Sequence, residues 1–75
     1  MSYKAVRYVF DNSAQERGAL LVMLALAEFA TGSEWSAWPA HESLARRAKI
    51  SPRHVRRSLE KAEADGEIER VGKAP

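Results

Sequence analysis

Arginine and lysine side chains are concentrated in one short stretch in the second half of the chain. Six cationic residues and no carboxylate lie between Arg46 and Arg57. They are Arg46, Arg47, Lys49, Arg53, Arg56 and Arg57. Guanidinium and ammonium groups donate charge-assisted hydrogen bonds to phosphate oxygens. The stretch therefore indicates a surface that docks on a phosphate backbone.

The apolar residues of this region have the spacing of two short helices that pack on each other. We expect the first helix over residues 40–48 and a turn at Lys49 and Ile50. Ser51 as N-cap and Pro52 as first helical residue predict the start of the second helix, and Asp65-Gly66 its end. The expected inward side chains are Leu44, Ala45 and Ala48 in the first helix and Val55, Leu59 and Ala62 in the second.

Length, composition and charge restrict the class of protein. Seventy-five residues make one domain, here residues 1–75. The absence of cysteine excludes disulfides and thiolate metal sites, and it fits the cytoplasm. The net charge is +2, with 3 basic and 4 acidic residues in 1–38 (−1) and 9 basic and 6 acidic residues in 39–75 (+3). The basic patch is therefore local, as expected of a binding face.

The longest apolar run, Gly18 to Ala30, predicts a buried helix. It is too short to span a bilayer, contains Glu28, and lies too far inside the chain for a signal peptide. Because it is apolar nearly all round, this helix needs cover on more than one side. The segment before it and the basic hairpin are the expected covers, and a homodimer partner is an alternative one.

The bounds of that helix are predicted from local signals. Ser13 to Glu16 has the form of a capping box, so we expect the helix to begin at Ala14. It should end near Ala30, with Gly32 in the left-handed conformation that follows many helices.

Three further segments have less distinct patterns. Residues 3–11 favour a helix over a strand, with Val6, Val9 and Phe10 on one side. Residues 34–38 should be extended, because Trp38 precedes a proline, and both indole rings, of Trp35 and Trp38, should cover the core. Residues 67–71 alternate as in a strand, with Ile68 and Val71 inward and no partner strand after them.

Residues 38–72 resemble the winged helix-turn-helix domain of bacterial and phage DNA-binding proteins. The likeness is to short domains of plasmid and phage replication initiators and of small transcription regulators. It rests on Trp38-Pro39, Leu44-Ala45, Ile50-Ser51, Arg53 to Arg57, Leu59, Asp65-Gly66 and Ile68 to Val71. The resemblance implies a mainly α fold of three to four helices with a short or incomplete β-wing. It also implies sequence-specific binding of double-stranded DNA, in transcription regulation or replication initiation.

The chain departs from the family pattern at three places. Lys49 stands where the family usually has Gly, so we expect a positive φ there. Ala40 stands where the family usually has a Ser cap. The sequence stops where the hairpin of the wing should turn back, which suggests an N-terminal fragment of a longer protein, or a wing that is absent or borrowed.

The resemblance also implies which side chains meet DNA. The N-terminal residues of the recognition helix, about 52–64, should enter the major groove. We expect base contacts from Arg53, His54 and Arg57, since the arginine fork matches O6 and N7 of guanine. The expected phosphate contacts are Arg46, Arg47, Lys49, Ser51, Arg56 and Lys61.

Other functions have weaker signals. His41, His54 and Glu42 could form an acid–base pair, but their spacing does not enforce one, and there is no glycine-rich phosphate loop. We therefore expect no enzyme, cofactor, metal, small-molecule substrate or membrane partner, and a place in the cytoplasm at the nucleoid. The main alternative is a winged-helix module that binds another protein. The arginine-rich face could also be merely solvated, with Glu60 and Glu63 pairing along the helix.

Overall fold

The computed structural model describes residues 3–32, 35–37 and 39–69, and these form four helices. The helices are α1 (Tyr3–Asn12), α2 (Arg17–Phe29), α3 (His41–Ala48) and α4 (Pro52–Ala64). Within these ranges there is no strand, and one isolated antiparallel bridge joins Thr31 and Ser36. None of the helices found there is long and apolar enough to cross a membrane. The mainly α fold class is confirmed.

Helix α2 lies at the centre and packs against all three other helices. Val22 and Ala25 belong to the core that α2 shares with α3 and α4. Ala27 joins a second cluster with Ala5, against which Val6 and Val9 of α1 pack. The expected covers of α2 are therefore confirmed. Since one chain supplies them, the apolar sequence of α2 no longer argues for a homodimer.

The α3–α4 hairpin has the predicted interior. All six predicted inward side chains are buried: Leu44, Ala45, Ala48, Val55, Leu59 and Ala62. Lys49 follows α3 with φ 61° and ψ 42°, so the expected left-handed residue is confirmed. Helix α3 begins at His41, one residue after the predicted start, because Ala40 is its N-cap and makes no side-chain cap hydrogen bond.

Helix α4 begins and ends at the predicted signals. The Ser51 hydroxyl accepts a hydrogen bond from the backbone N–H of His54 at 3.1 Å, and Pro52 is the first helical residue. At the other end Asp65 is the C-cap and Gly66 has φ 77°. These local signals agree with the tertiary fold, so the predicted bounds are confirmed.

The predicted start of α2 at Ala14 is wrong, because the helix begins at Arg17. Arg17 has φ 53°, a left-handed conformation that prevents the helix from continuing backwards. The predicted capping box does not form, since Glu16 is the N-cap and makes no side-chain hydrogen bond. The Ser13 hydroxyl accepts from the backbone N–H of Gln15 at 3.1 Å and donates to the distant Glu67.

The expected extended conformation is wrong at Trp35. Thr31 and Ser36 exchange two backbone hydrogen bonds around a turn, in which Gly32 has φ 73°, as predicted, and Trp35 has φ 53°. The Trp35 ring is 40% exposed and meets Tyr8 edge to face, so it covers the side of α1 rather than the core. Trp38, the other predicted cover, lies outside the described residues.

Two terminal segments differ from their predictions in part. Helix α1 is confirmed, but Phe10 is 64% exposed, because the inward side of the helix is formed by Ala5, Val6 and Val9. Residues 67–69 are not a strand, although Ile68 packs on the core as predicted. Residue 71 and the predicted wing lie outside the described residues.

The side chain of Leu44 should be the most sensitive part of this core, because it is 1% exposed between α2 and α4. We expect Leu44→Ala to lower the free energy of unfolding by about 2–5 kcal/mol, through lost burial and a cavity. The control is Leu21→Ala in α2, where the side chain is 47% exposed and a much smaller loss is expected. Urea unfolding followed by circular dichroism measures both. Equal losses would contradict the packing described here.

Candidate nucleic-acid interface

The exposed side of α4 carries two arginines one helical turn apart. Val55, Ser58, Leu59 and Ala62 are buried on the opposite side. Arg53 and Arg57 are both exposed, and the helical period places them together on the side facing away from the core. Glu60 lies further along the same exposed side, so the positive charge of that side comes from the first two turns of α4.

A second group of cations lies on the neighbouring helix and the turn. Arg46 is exposed near the end of α3, Lys49 is exposed in the turn, and Arg56 is exposed on α4. Five predicted contact residues have no side-chain hydrogen bond or ion pair within the part of the chain that the structure describes. These are Arg46, Lys49, Arg53, Arg56 and Arg57. Their charged groups are therefore available to an external anion.

Arg47, in contrast, is engaged inside the protein. Its Nε and Nη2 atoms donate to both carboxylate oxygens of Glu28, at 2.5 and 2.7 Å. The hydrogen bonds from Arg47 hold the pKa of Glu28 below its ordinary value, against the opposing effect of burial. This forked pair ties α3 to α2. Since the side chain of Arg47 is still 60% exposed, a phosphate would have to share the guanidinium with Glu28.

Lys61 is engaged too, near the end of α4. Its Nζ atom lies 2.7 Å from Oδ2 of Asp65, one turn further along. The hydrogen bonds from Lys61 and Gln15 lower the pKa of Asp65. The acid that pairs with Lys61 is therefore Asp65, where the sequence had suggested Glu60 or Glu63. A phosphate contact of Lys61 would compete with that pair.

His54 lies on a flank of α4, beside the first turn of α2. A side-chain Cβ placed at Gly18 would come within 2.7 Å of Cε1 of the His54 ring. The imidazole therefore rests against the backbone of Gly18. The three predicted base-contact residues are all exposed but not equivalent: Arg53 and Arg57 point away from the core, whereas the His54 ring lies against the first turn of α2.

Ser51 has one role already. Its Oγ accepts the cap hydrogen bond from His54, which leaves the hydroxyl hydrogen able to donate to a phosphate oxygen. The predicted phosphate contact at Ser51 is thus compatible with its cap.

The residue that sequence reasoning missed is Glu67. One of its carboxylate oxygens accepts from the Ser13 hydroxyl, and the other accepts from Gln15 Nε2 at 2.8 Å and from the backbone N–H of Ala14 at 3.1 Å. Gln15, only 4% exposed, also donates to Asp65 at 2.8 Å. We call Ser13, Gln15, Asp65 and Glu67 the linker clamp. It fixes the C-terminal end of α4 to the segment between α1 and α2.

The family comparison agrees with this geometry. Residues 16–66 match the model of a family described as a helix-turn-helix domain. The match covers 51 of the 75 residues (66 − 16 + 1), and it spans α2, α3 and α4. The chain therefore belongs to this family of helix-turn-helix DNA-binding domains. A search of curated proteins and a search of solved structures found no match.

The hydrogen bonds of the linker clamp should make the protein less stable in acid. Burial pushes the pKa of Glu67 upwards, but the hydrogen bonds from Ser13, Gln15 and Ala14 outweigh it and lower the pKa below its ordinary value. A lowered folded-state pKa contributes stability above the ordinary pKa, and that contribution is lost as the pH falls through the folded-state pKa. We therefore expect the free energy of unfolding to decrease below about pH 4.5.

The variant Glu67→Gln isolates this carboxylate. At pH 7 it should lower the free energy of unfolding by about 1–2 kcal/mol, since three donors lose a charged acceptor, and it should reduce the acid dependence. The matched control is Glu69→Gln, the same substitution at an exposed residue just beyond the clamp. Urea unfolding between pH 3 and 7 measures both variants. A pH dependence that is unchanged in Glu67→Gln would refute the clamp.

Proposed function

We propose that the protein binds double-stranded DNA with sequence preference, by placing the first two turns of α4 in the major groove. The observation that carries this proposal is the pair Arg53 and Arg57. Both are exposed, lie one turn apart opposite the buried side of α4, and have no side-chain partner within the described residues. Membership of the helix-turn-helix family supports the same use of α4.

The two arginines are suited to reading guanine. A guanidinium donates two parallel hydrogen bonds to O6 and N7, a pattern that the other base pairs do not present in the major groove. Two such groups one turn apart can contact guanines in neighbouring base pairs, either on the same strand or on opposite strands. Their free charges favour this role because no internal carboxylate has to be displaced first.

The remaining cations suit the sugar–phosphate backbone on either side. Arg46 and Lys49 precede α4 and Arg56 flanks it, and the Ser51 hydroxyl lies at its start. Such contacts set affinity and register without reading sequence. Arg47 and Lys61 are weaker candidates for phosphate contact, because each already has a carboxylate partner.

In the cell, a domain of this kind would act as a transcription regulator or as a plasmid or phage replication initiator. Family membership is compatible with either role. We assign it no catalytic step, and binding to chromosomal, plasmid or phage DNA would place it at the nucleoid. The winged form of the domain stays a prediction. The alternative is a module that binds another protein, and the exposed apolar side chains of Tyr3, Phe10 and Phe29 are the observation that favours it.

Removing the two arginines tests base reading. For Arg53→Ala and for Arg57→Ala we expect a loss of about 1–3 kcal/mol of discrimination between a selected DNA site and random DNA, because each would lose a two-donor base contact. Fluorescence anisotropy at fixed salt measures the affinities. Arg7→Ala is the matched control, since Arg7 is an exposed arginine on α1, away from the hairpin.

The ratio of the affinity for the selected site to the affinity for random DNA decides the outcome. If it is unchanged in both variants, α4 does not read bases through these residues. Binding to a protein partner that is tight, insensitive to salt and unaffected by either substitution would favour the alternative module.

Substitutions at Lys49 distinguish the effect of its charge on DNA binding from the effect of its backbone conformation on stability. Lys49→Gly removes one phosphate contact, so the slope of log K against log salt should flatten by about one unit. The same change should preserve or raise the free energy of unfolding, by up to about 1 kcal/mol, because glycine tolerates the left-handed conformation found there.

Two companion variants complete this experiment. Lys49→Gln should flatten the slope equally without the gain in stability, and Lys4→Gln on α1 should leave the slope nearly unchanged. A salt slope that Lys49→Gly and Lys49→Gln leave intact would exclude a phosphate contact at this residue.

A further inference from the structure

Gly18 lies where α2 approaches the recognition helix. It shares the inward side of α2 with Val22 and Ala25, at spacings of four and seven residues. A Cβ atom built on it would lie 2.7 Å from Cε1, 3.2 Å from Nε2 and 3.5 Å from Nδ1 of His54. All three distances are to one ring, so the space beside Gly18 is filled by the imidazole.

The backbone does not need glycine at this position. The glycines with positive φ in the described residues are Gly32 and Gly66, so Gly18 has an ordinary conformation. It also stands within the first turn of a helix, where glycine is a poor helix former. What its missing side chain supplies is room for His54.

His54 holds the start of α4 in two ways. Its backbone N–H completes the cap on Ser51, and its ring rests on α2. Arg53 is the residue immediately before it, and Arg57 follows within the next turn. The direction in which both arginines leave α4 therefore depends on how that first turn is seated.

We propose that Gly18 is a positioning residue for DNA recognition: it lets the His54 ring dock on α2, and that docking aligns the first turn of α4 for Arg53 and Arg57. This inference rests on the proposed function. The linker clamp holds the other end of α4 through Gln15, Asp65 and Glu67. A change at Gly18 should thus move the N-terminal turn of α4 while the rest of the fold stays in place.

The test is a double-mutant cycle between Gly18→Ala and His54→Ala. In the wild-type background, Gly18→Ala should weaken binding to a selected DNA site by about fivefold or more, comparable to the loss of one base contact, and weaken binding to random DNA less. With His54→Ala already present, the added Gly18→Ala should have no further effect, because no ring remains to be displaced. Leu21→Gln, an exposed position on the same helix, is the control and should match the wild type.

A second readout does not depend on DNA. In the free wild-type protein, a nuclear Overhauser effect should connect Hε1 of His54 to the Hα protons of Gly18, and Gly18→Ala should remove it without lowering the melting temperature, since alanine favours the helix. Gly18→Ser should behave as Gly18→Ala does.

The outcomes separate this inference from the function on which it rests. A wild-type protein that prefers no DNA site overturns the proposed function, whatever the nuclear Overhauser effect shows. Retained site preference in Gly18→Ala overturns the role of Gly18 alone. An equal loss in the presence and absence of the His54 ring also overturns it, because the effect would then pass through α2 and not through His54.

Discussion

The burial of α2 explains how the other three helices are arranged. A helix that is apolar nearly all round is destabilised by water, so the three other helices cover most of it and leave only side chains such as Leu21 and Phe29 exposed. Helix α1 covers one side, and the α3–α4 hairpin covers the other through Val22, Leu44 and Val55. The hairpin is therefore held by its apolar side, which leaves its cationic side exposed. Core packing and the presentation of charge are thus two consequences of one arrangement.

The position of α4 depends on contacts at its two ends and along its underside. The buried stripe of α4 sets its distance from α2, but such a stripe alone permits small rotations and shifts. Gln15 and Glu67 hold the C-terminal end through hydrogen bonds, and we propose that the ring of His54 holds the N-terminal end against Gly18. Contacts at the ends provide the orientation that non-directional apolar burial does not.

Much of the hairpin could be predicted from the sequence because its signals are local. The cap at Ser51 and the spacing of Val55 and Leu59 involve residues within one or two turns of each other. The left-handed Lys49 was expected from the family resemblance. The prediction failed at the start of α2. Ser13 accepts from the backbone N–H of Gln15 and donates to the distant Glu67, but the left-handed conformation of Arg17 delays the helix to that residue.

Periodicity and capping act over a few residues, so they were enough to predict the helices of the hairpin, its buried side chains and the position of the cationic stretch. Which of the cations are free depends on the tertiary structure. It pairs Arg47 with Glu28, nineteen residues away, and leaves Arg53 and Arg57 unpaired within the described residues. It also placed His54 beside Gly18. Such pairs form between segments far apart in the chain, so they depend on how the helices pack and not on spacing.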